Sequence, residues 1–291
     1  MSEIKVKKSR KELWMWRIVF ISTITIFMMK KDNEQKQEIK EDSIVRTSLN
    51  TEILYDEQLI NKIYDLAEND KVKGVLLKVN CSGGEITASE AVYKALNEVR
   101  SKKPLVVSIQ SVAASGGYMA SIAANKIYAY DSSIVGSIGV MNSGFIDPSG
   151  LEEKLGIKFF NYKSSTLKSL PDGYQVLGLQ FNKKPDEQGE KHLQKVINEF
   201  QSIFKEMVQK NRPQIKDIEI ATNGEEFTGK YGLELRLIDA IGTDRDALKD
   251  LQTNFNLQAD LPIFDYNIVT IQEESSGFFS KAFGIAKALM N

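Results

Sequence analysis

The residues best suited to chemistry gather around Ser115. Leu105-Val-Val-Ser-Ile109 reads as a strand, and after a turn of small residues the chain restarts as an Ala-rich helix. Ser115 sits at that junction, with Gly116 and Gly117 directly after it. A hydroxyl there faces unpaired backbone N–H groups and the positive end of a helix dipole, which favour negative charge. The glycines let a bound chain approach the backbone closely. Ordinary strand-to-helix turns are built the same way, so this stretch alone leaves a nucleophile and a plain helix cap both open. His192 is the only histidine, so any Ser-His-Asp mechanism must use it. It falls in the charged run Glu190-Lys-His192 and reads as a surface helix residue. A hydrolase with no usable histidine needs another base, and lysine is the usual substitute. A histidine-rich metal site is excluded. Cys81, the only cysteine, reads as a small turn filler with no evident base beside it, and no intramolecular disulfide can form.

The elements that must position Ser115 alternate. Gly74-Val-Leu-Leu-Lys-Val-Asn80 is an apolar strand candidate that runs into the glycine turn Cys81-Ser-Gly-Gly84. Thr87-Ala-Ser-Glu90 reads as a capping box opening a helix, whose residues Ala88, Ala91, Val92, Ala95, Leu96 and Val99 share one face. Pro104 restarts the chain as the strand leading to Ser115. Strand, glycine turn, helix, strand, serine turn, helix is the alternation of an α/β layered domain. Further on, Lys126-Ile-Tyr-Ala-Tyr130 and Ile138-Gly-Val-Met141 read as short strands. Leu151–Gly156 reads as a short helix and Ile157–Tyr162 as a strand. Lys163–Gly173 is a polar loop carrying Lys163 and Lys168. From Asp186 to about Arg212 the spacing predicts one amphipathic helix, and another starts at Thr243 or Asp244.

With 291 residues, 42% hydrophobic and 26% charged, the chain can bury a sizeable core. A net charge of -1 argues against a nucleic-acid partner. Residues 1–12 are basic, and residues 13–29 form an apolar run that would span roughly 26 Å as a helix. Trp14 and Trp16 suit the membrane interface, Arg17 can snorkel, and no small-x-small cleavage site follows. An uncleaved transmembrane signal anchor with a cytoplasmic N-terminus is expected. Residues 30–50 read as a polar tether, residues 51–262 as the globular domain, and 263–291 as a tail with an amphipathic helix.

Several of these pieces occur together in one family. Ala114-Ser115-Gly116-Gly117-Tyr118, Val135-Gly-Ser137-Ile-Gly-Val140, Leu155-Gly-Ile157 with Lys163, Ser164 and Lys168, and the closing Phe227-Thr-Gly229, Gly232-Leu233, Ile238-Asp239 and Gly242 stand in the family's order. Over about residues 51–255 the chain resembles the bacterial signal peptide peptidases of the SppA type (protease IV family) in their short single-domain form. The resemblance implies a ClpP/crotonase-like fold of repeated ββα units and a serine–lysine dyad. Ser115 would be the nucleophile that forms an acyl-enzyme, and Lys168 the general base, which serves only when desolvation keeps it neutral. Ser137 would orient the lysine, and the backbone N–H groups of Gly83 and Gly116 would hold the oxyanion. Lys163 is the rival for the base.

The resemblance also implies a bacterial inner-membrane enzyme with its catalytic domain outside the cytoplasm, acting on membrane-associated peptides such as remnant signal peptides. It implies a ring-shaped homo-oligomer. No cofactor or metal is implied, and no phosphate-binding Gly-x-x-x-x-Gly-Lys-Ser/Thr loop occurs. Three departures stand out: Cys81-Ser82 where the family commonly has Ser-Pro, Ser165 where glycine is common, and Ser169 where an acidic residue is frequent. The rival classes are a catalytically inactive membrane scaffold and a crotonase-type acyl-CoA enzyme.

Overall fold

The protein is described from a computed structural model, covering residues 38–142, 150, 153–154, 156, 165, 167, 173–176, 179–182, 185–258 and 260–269. The apolar run 13–29, the segments 151–152 and 157–162, Lys163, Lys168 and the tail 270–291 lie outside the described residues. No helix among the described residues is long and apolar enough to cross a membrane. The sheet lies within the unit that begins at Glu41.

Strand β1 (Ser43–Leu49) opens it, followed by helix α1 (Glu57–Glu68), β2 (Val72–Cys81), α2 (Ile86–Lys102) and β3 (Leu105–Ala114). The short α3 (Gly116–Ser121), β4 (Lys126–Ala129) and β5 (Ile134–Gly136) come next. A two-stranded hairpin of β6 (Gly173–Val176) and β7 (Leu179–Asn182) precedes the long α4 (Glu187–Asn211). The chain closes with α5 (Ile218–Ala221), β8 (Glu226–Thr228), α6 (Gly229–Leu235), β9 (Ala240–Ile241), α7 (Asp244–Asn254) and β10 (Ile263–Asp265).

The main sheet runs β10-β1-β2-β3-β4-β9, parallel throughout, with β5 also pairing β3 and β8. β2 and β3 are buried along nearly their whole length, as expected for parallel strands covered on both faces. One face packs Ile44, Leu76, Val106 and Tyr128 against Ala247 and Leu251 of α7. Fully burying a side chain of the Leu/Ile/Val kind is worth about 1.5–3 kcal/mol, so this cluster alone fixes α7. α7 starts as the sequence predicts, with a capping box between Thr243 and Asp246. On the same terms Asp186 caps α4 and Asp56 caps α1.

The sheet corrects three expectations. β1 lies inside the stretch read as tether, so the folded unit begins near residue 43 rather than 51, and β10 extends it past 262. Residues 138–141 form no strand. Ser137 turns the chain at φ 48°, and the Ile138 carbonyl is taken by the Gln201 side chain instead of a ladder partner. α2 begins at Ile86 with Glu85 as its cap residue, without the capping box read at Thr87.

Candidate active site

Three parallel strands deliver the site to their shared carboxyl end. β2 pairs Cys81 with Ala113 of β3, and β3 pairs Ala114 with Gly136 of β5. The residues that follow these strand ends are Ser82-Gly83-Gly84, Ser115 and Ser137, and they emerge side by side. In open α/β sheets ligands bind outside the carboxyl ends of the strands. The fold thus brings Ser115, Ser137, Gly83 and Gly116 together. Lys168 lies outside the described residues.

β3 makes this possible by changing partner. Its first half pairs with β4 at Val106–Ile109, and its second half with β5 at Val112–Ala114. The serine turn that follows is held in a strained backbone. Ser115 has φ 50° and ψ -121°, a combination that costs a non-glycine residue about 1–3 kcal/mol. Its N–H donates to Gly136 O at 2.9 Å and its carbonyl accepts from Met119 N at 2.9 Å, so the backbone is pinned on both sides. Its side chain makes no capping hydrogen bond to α3, leaving the hydroxyl to face the cleft. Ser137 is held likewise: φ is 48° and its N–H donates to Glu225 O at 2.7 Å.

The glycine turn lies directly against the serine. A Cβ on Gly83 would sit 2.9 Å from Ser115 Cβ and 3.1 Å from Gly116 N. One on Gly84 would fall 2.1 Å from Ile53 O. Ile53 bridges this turn in parallel fashion, its N–H donating to Gly83 O at 2.8 Å and its carbonyl accepting from Glu85 N at 2.9 Å. That pattern turns the N–H of Gly84 away from Ile53. Among the described residues neither the Gly84 nor the Gly116 N–H has an acceptor. The Gly83 N–H faces Cys81 Sγ at 3.4 Å. The amide this turn leaves unpaired is therefore that of Gly84, one residue on from the glycine the resemblance implies. The alternation of a parallel bridge carries that distinction, and it needs the partner strand to be known. Burial pushes the Cys81 thiol up, so it stays protonated and serves as a weak hydrogen-bond partner.

Helix α4 closes one side of the cleft. Leu193, Val196, Ile197 and Phe200 line a groove that passes over Ser115 and Ser137. Gln201 Nε2 donates to Ile138 O at 3.2 Å and to Thr222 O at 2.7 Å, which ties the helix to the turn carrying Ser137. At the far end Arg212, buried, donates to both carboxylate oxygens of Asp239 at 2.8 and 3.0 Å and to Arg236 O at 3.0 Å. Asp239 also accepts from Ile127 N at 2.8 Å. The Tyr118 hydroxyl on α3 donates to Leu237 O at 2.7 Å in the same loop. Burial holds that phenol well above its ordinary pKa, so it remains a donor at every accessible pH. His192 is exposed on α4, as its charged context implies.

Known proteases resemble the chain over most of its length. The family model of Peptidase family S49 matches residues 97–258, and that of Clp protease matches residues 30–134. A protein of Methanocaldococcus jannaschii named as a protease is 36% identical over 235 residues, covering 79% of this chain and 71% of that one. A protein of Enterococcus faecium named signal peptide peptidase SppA is 30% identical over 230 residues, 78% of this chain and 62% of its own. The chloroplastic serine protease SPPA of Arabidopsis thaliana is 31% identical over 187 residues, 64% of this chain and 26% of its own. The layered parallel sheet is of the ClpP-like kind. The S49 match includes both Ser115 and Ser137, and the chain belongs to peptidase family S49, as a protease of the SppA type.

Proposed function

We propose that this protein is a membrane-anchored serine endopeptidase that cuts membrane-associated peptides, remnant signal peptides among them. The observation that carries the reading is the strained Ser115 turn, beside which the Gly84 and Gly116 amides have no acceptor among the described residues. Ser115 Oγ attacks the peptide carbonyl, forming the acyl-enzyme, while Lys168 Nζ takes the hydroxyl proton and returns it to the leaving amine. Water then enters by the same proton route and releases the acyl group. The N–H groups of Gly84 and Gly116 receive the oxyanion, and losing one such donor typically costs about 10²–10³ in rate. Ser137 fixes the lysine. Residues 13–29 anchor the enzyme in the inner membrane with the catalytic unit outside the cytoplasm, and copies of the chain assemble into a ring.

The test uses the full chain in detergent micelles, as wild type, Ser115→Ala, Lys168→Ala and Lys163→Ala. Each is incubated with a mixed pool of apolar peptides, and products are read by mass spectrometry. Cleavage by wild type and Lys163→Ala alone is expected. Cleavage that survives Ser115→Ala refutes the mechanism. Folded, assembled protein that cuts nothing favours a scaffold.

A further inference from the structure

Helix α4 carries a polar residue where its inner face calls for an apolar one. Gln201, Phe204 and Val208 recur at helical spacing, and the last two are buried. Gln201 instead directs its amide at two carbonyls from different segments. Its Nε2 donates to Ile138 O at 3.2 Å and to Thr222 O at 2.7 Å. Both neighbours of the nitrogen are acceptors, so the amide can face only this way. The other atom, Oε1, is buried and has no hydrogen-bond partner among the described residues. An acceptor left in that state opposes what the two bonds return, so the use of the glutamine lies in what those bonds hold. They hold the turn of Ser137. Gly136 and Ser137 follow one another at φ 99° and 48°. The second is a value that residues with a side chain seldom take, and such a backbone persists only where its surroundings enforce it. The Ser137 N–H donates to Glu225 O at 2.7 Å. A Cβ on Gly139 would meet Gly224 Cα at 3.1 Å, so segments 137–139 and 222–225 lie face to face. Gln201 joins the two, with one bond to each. Thr222 is itself fixed, its hydroxyl donating to Ile218 O at 2.6 Å. The backbone is thus pinned immediately before and after the Ser137 side chain.

We infer that Gln201 is a positioning residue of the active site: its amide clamps the Ser137 turn and so fixes the direction in which the Ser137 hydroxyl meets the base. Its neighbour Phe200 lines the cleft, whereas Gln201 reaches the turn and acts through Ser137. Without the clamp a peptide still binds along the α4 groove, but proton transfer slows because the base loses a fixed partner. That consequence rests on the serine–lysine reading above. The clamp itself does not.

Two substitutions test it on the full chain in detergent. Gln201→Met, an apolar side chain of similar length, removes both bonds. Gln201→Asn keeps an amide that is too short to reach both carbonyls. Each is made alone and together with Ser137→Ala, and kcat and KM are measured on one cleaved peptide. In the single variants kcat is expected to fall about five- to thirtyfold, the worth of one to two neutral hydrogen bonds, with KM within about twofold of wild type. In the Ser137→Ala background either substitution costs less than about twofold more, because the group it positions is gone. A residue that merely stabilised the fold would give losses that multiply with that of Ser137→Ala, or would raise KM; either result overturns the inference. Amide exchange at Ser137 and Gly139 gives a reading that needs no turnover. Faster exchange there in Gln201→Met, with the central strands unchanged, is expected, and exchange that stays as in wild type overturns the clamp. A wild-type chain that cleaves nothing, with exchange accelerated in the variant, would refute the serine mechanism and leave the clamp standing.

Discussion

Replacing Asp239 with alanine leaves the buried guanidinium of Arg212 without its counter-charge. The Arg212 side chain is only 3% exposed, and it loses hydrogen bonds of 2.8 and 3.0 Å; the Ile127 N–H loses its acceptor as well. Breaking a buried pair from one side costs about 3–5 kcal/mol. The Asp239 side chain is 25% exposed, so water can reach the gap and the lower end, about 3 kcal/mol, applies. For a chain of this size, about 2–4 °C of unfolding temperature per kcal/mol makes that roughly 6–12 °C. The assay is thermal unfolding of the full chain in detergent, at fixed protein concentration because assembly stabilises by mass action. Asp239→Asn keeps an acceptor for Ile127 and loses less. The double variant Arg212→Met with Asp239→Leu recovers most of the loss, since an apolar replacement carries no desolvated charge. The loop concerned also holds Leu237 O, the acceptor of Tyr118 behind the nucleophile, so activity falls alongside stability. A loss under about 1 kcal/mol for Asp239→Ala, the range of an exposed pair, would refute the claim that this ion pair fastens the end of α4.

Three further outcomes follow from local geometry. Ser115→Gly is expected to be more stable than Ser115→Ala by about 1 kcal/mol or more in urea unfolding, because only glycine relaxes at φ 50°, ψ -121°; equal stabilities would mean that the turn stores no strain. Gly117→Ala places a Cβ 2.3 Å from Cys81 O, so the expected result is a loss of about 1–3 kcal/mol or more and a failure to restore the site by any change at Cys81, whose backbone is the obstacle. Asp265 is held below the ordinary carboxylate range first by its hydrogen bond to Arg46, with burial opposing. Its stabilising contribution is therefore full above the unfolded value of about 3.9 and fades as the pH falls through the lower folded one. Amide exchange at Ile263–Asp265 should accelerate selectively below about pH 4, and an exchange rate there that merely follows the rest of the sheet would contradict it.

Much of this arrangement is legible in the amino-acid sequence. The alternation from Gly74 to Ala124 yields the β2-α2-β3-α3 core because each element has its own period and a glycine or proline at its boundary. The long stripe from Leu193 to Val208 gives α4 for the same reason. β1 escapes because Ser43 and Thr47, both buried, make its sequence read as polar tether. α1 is equally easy to pass over, although Leu59, Ile63, Leu66 and Ala67 are its buried face and Asp56 its cap. Their spacing is a signal, diluted by the charged residues between them. The site shows the same division. Residue type and order identify Ser115 and the glycine turn, whereas which glycine amide is left unpaired depends on Ile53, a contact that no local pattern encodes.

The most direct measurement of the central claim is the position of the acyl group. The full chain is mixed with an activated ester of a short peptide ending in alanine, quenched in acid, digested and mapped by mass spectrometry. An acyl group on Ser115 in the wild type, absent from Ser115→Ala and strongly reduced in Lys168→Ala, is the predicted result. An acyl group on another residue, or one that persists in Ser115→Ala, would contradict the assignment of Ser115 as nucleophile.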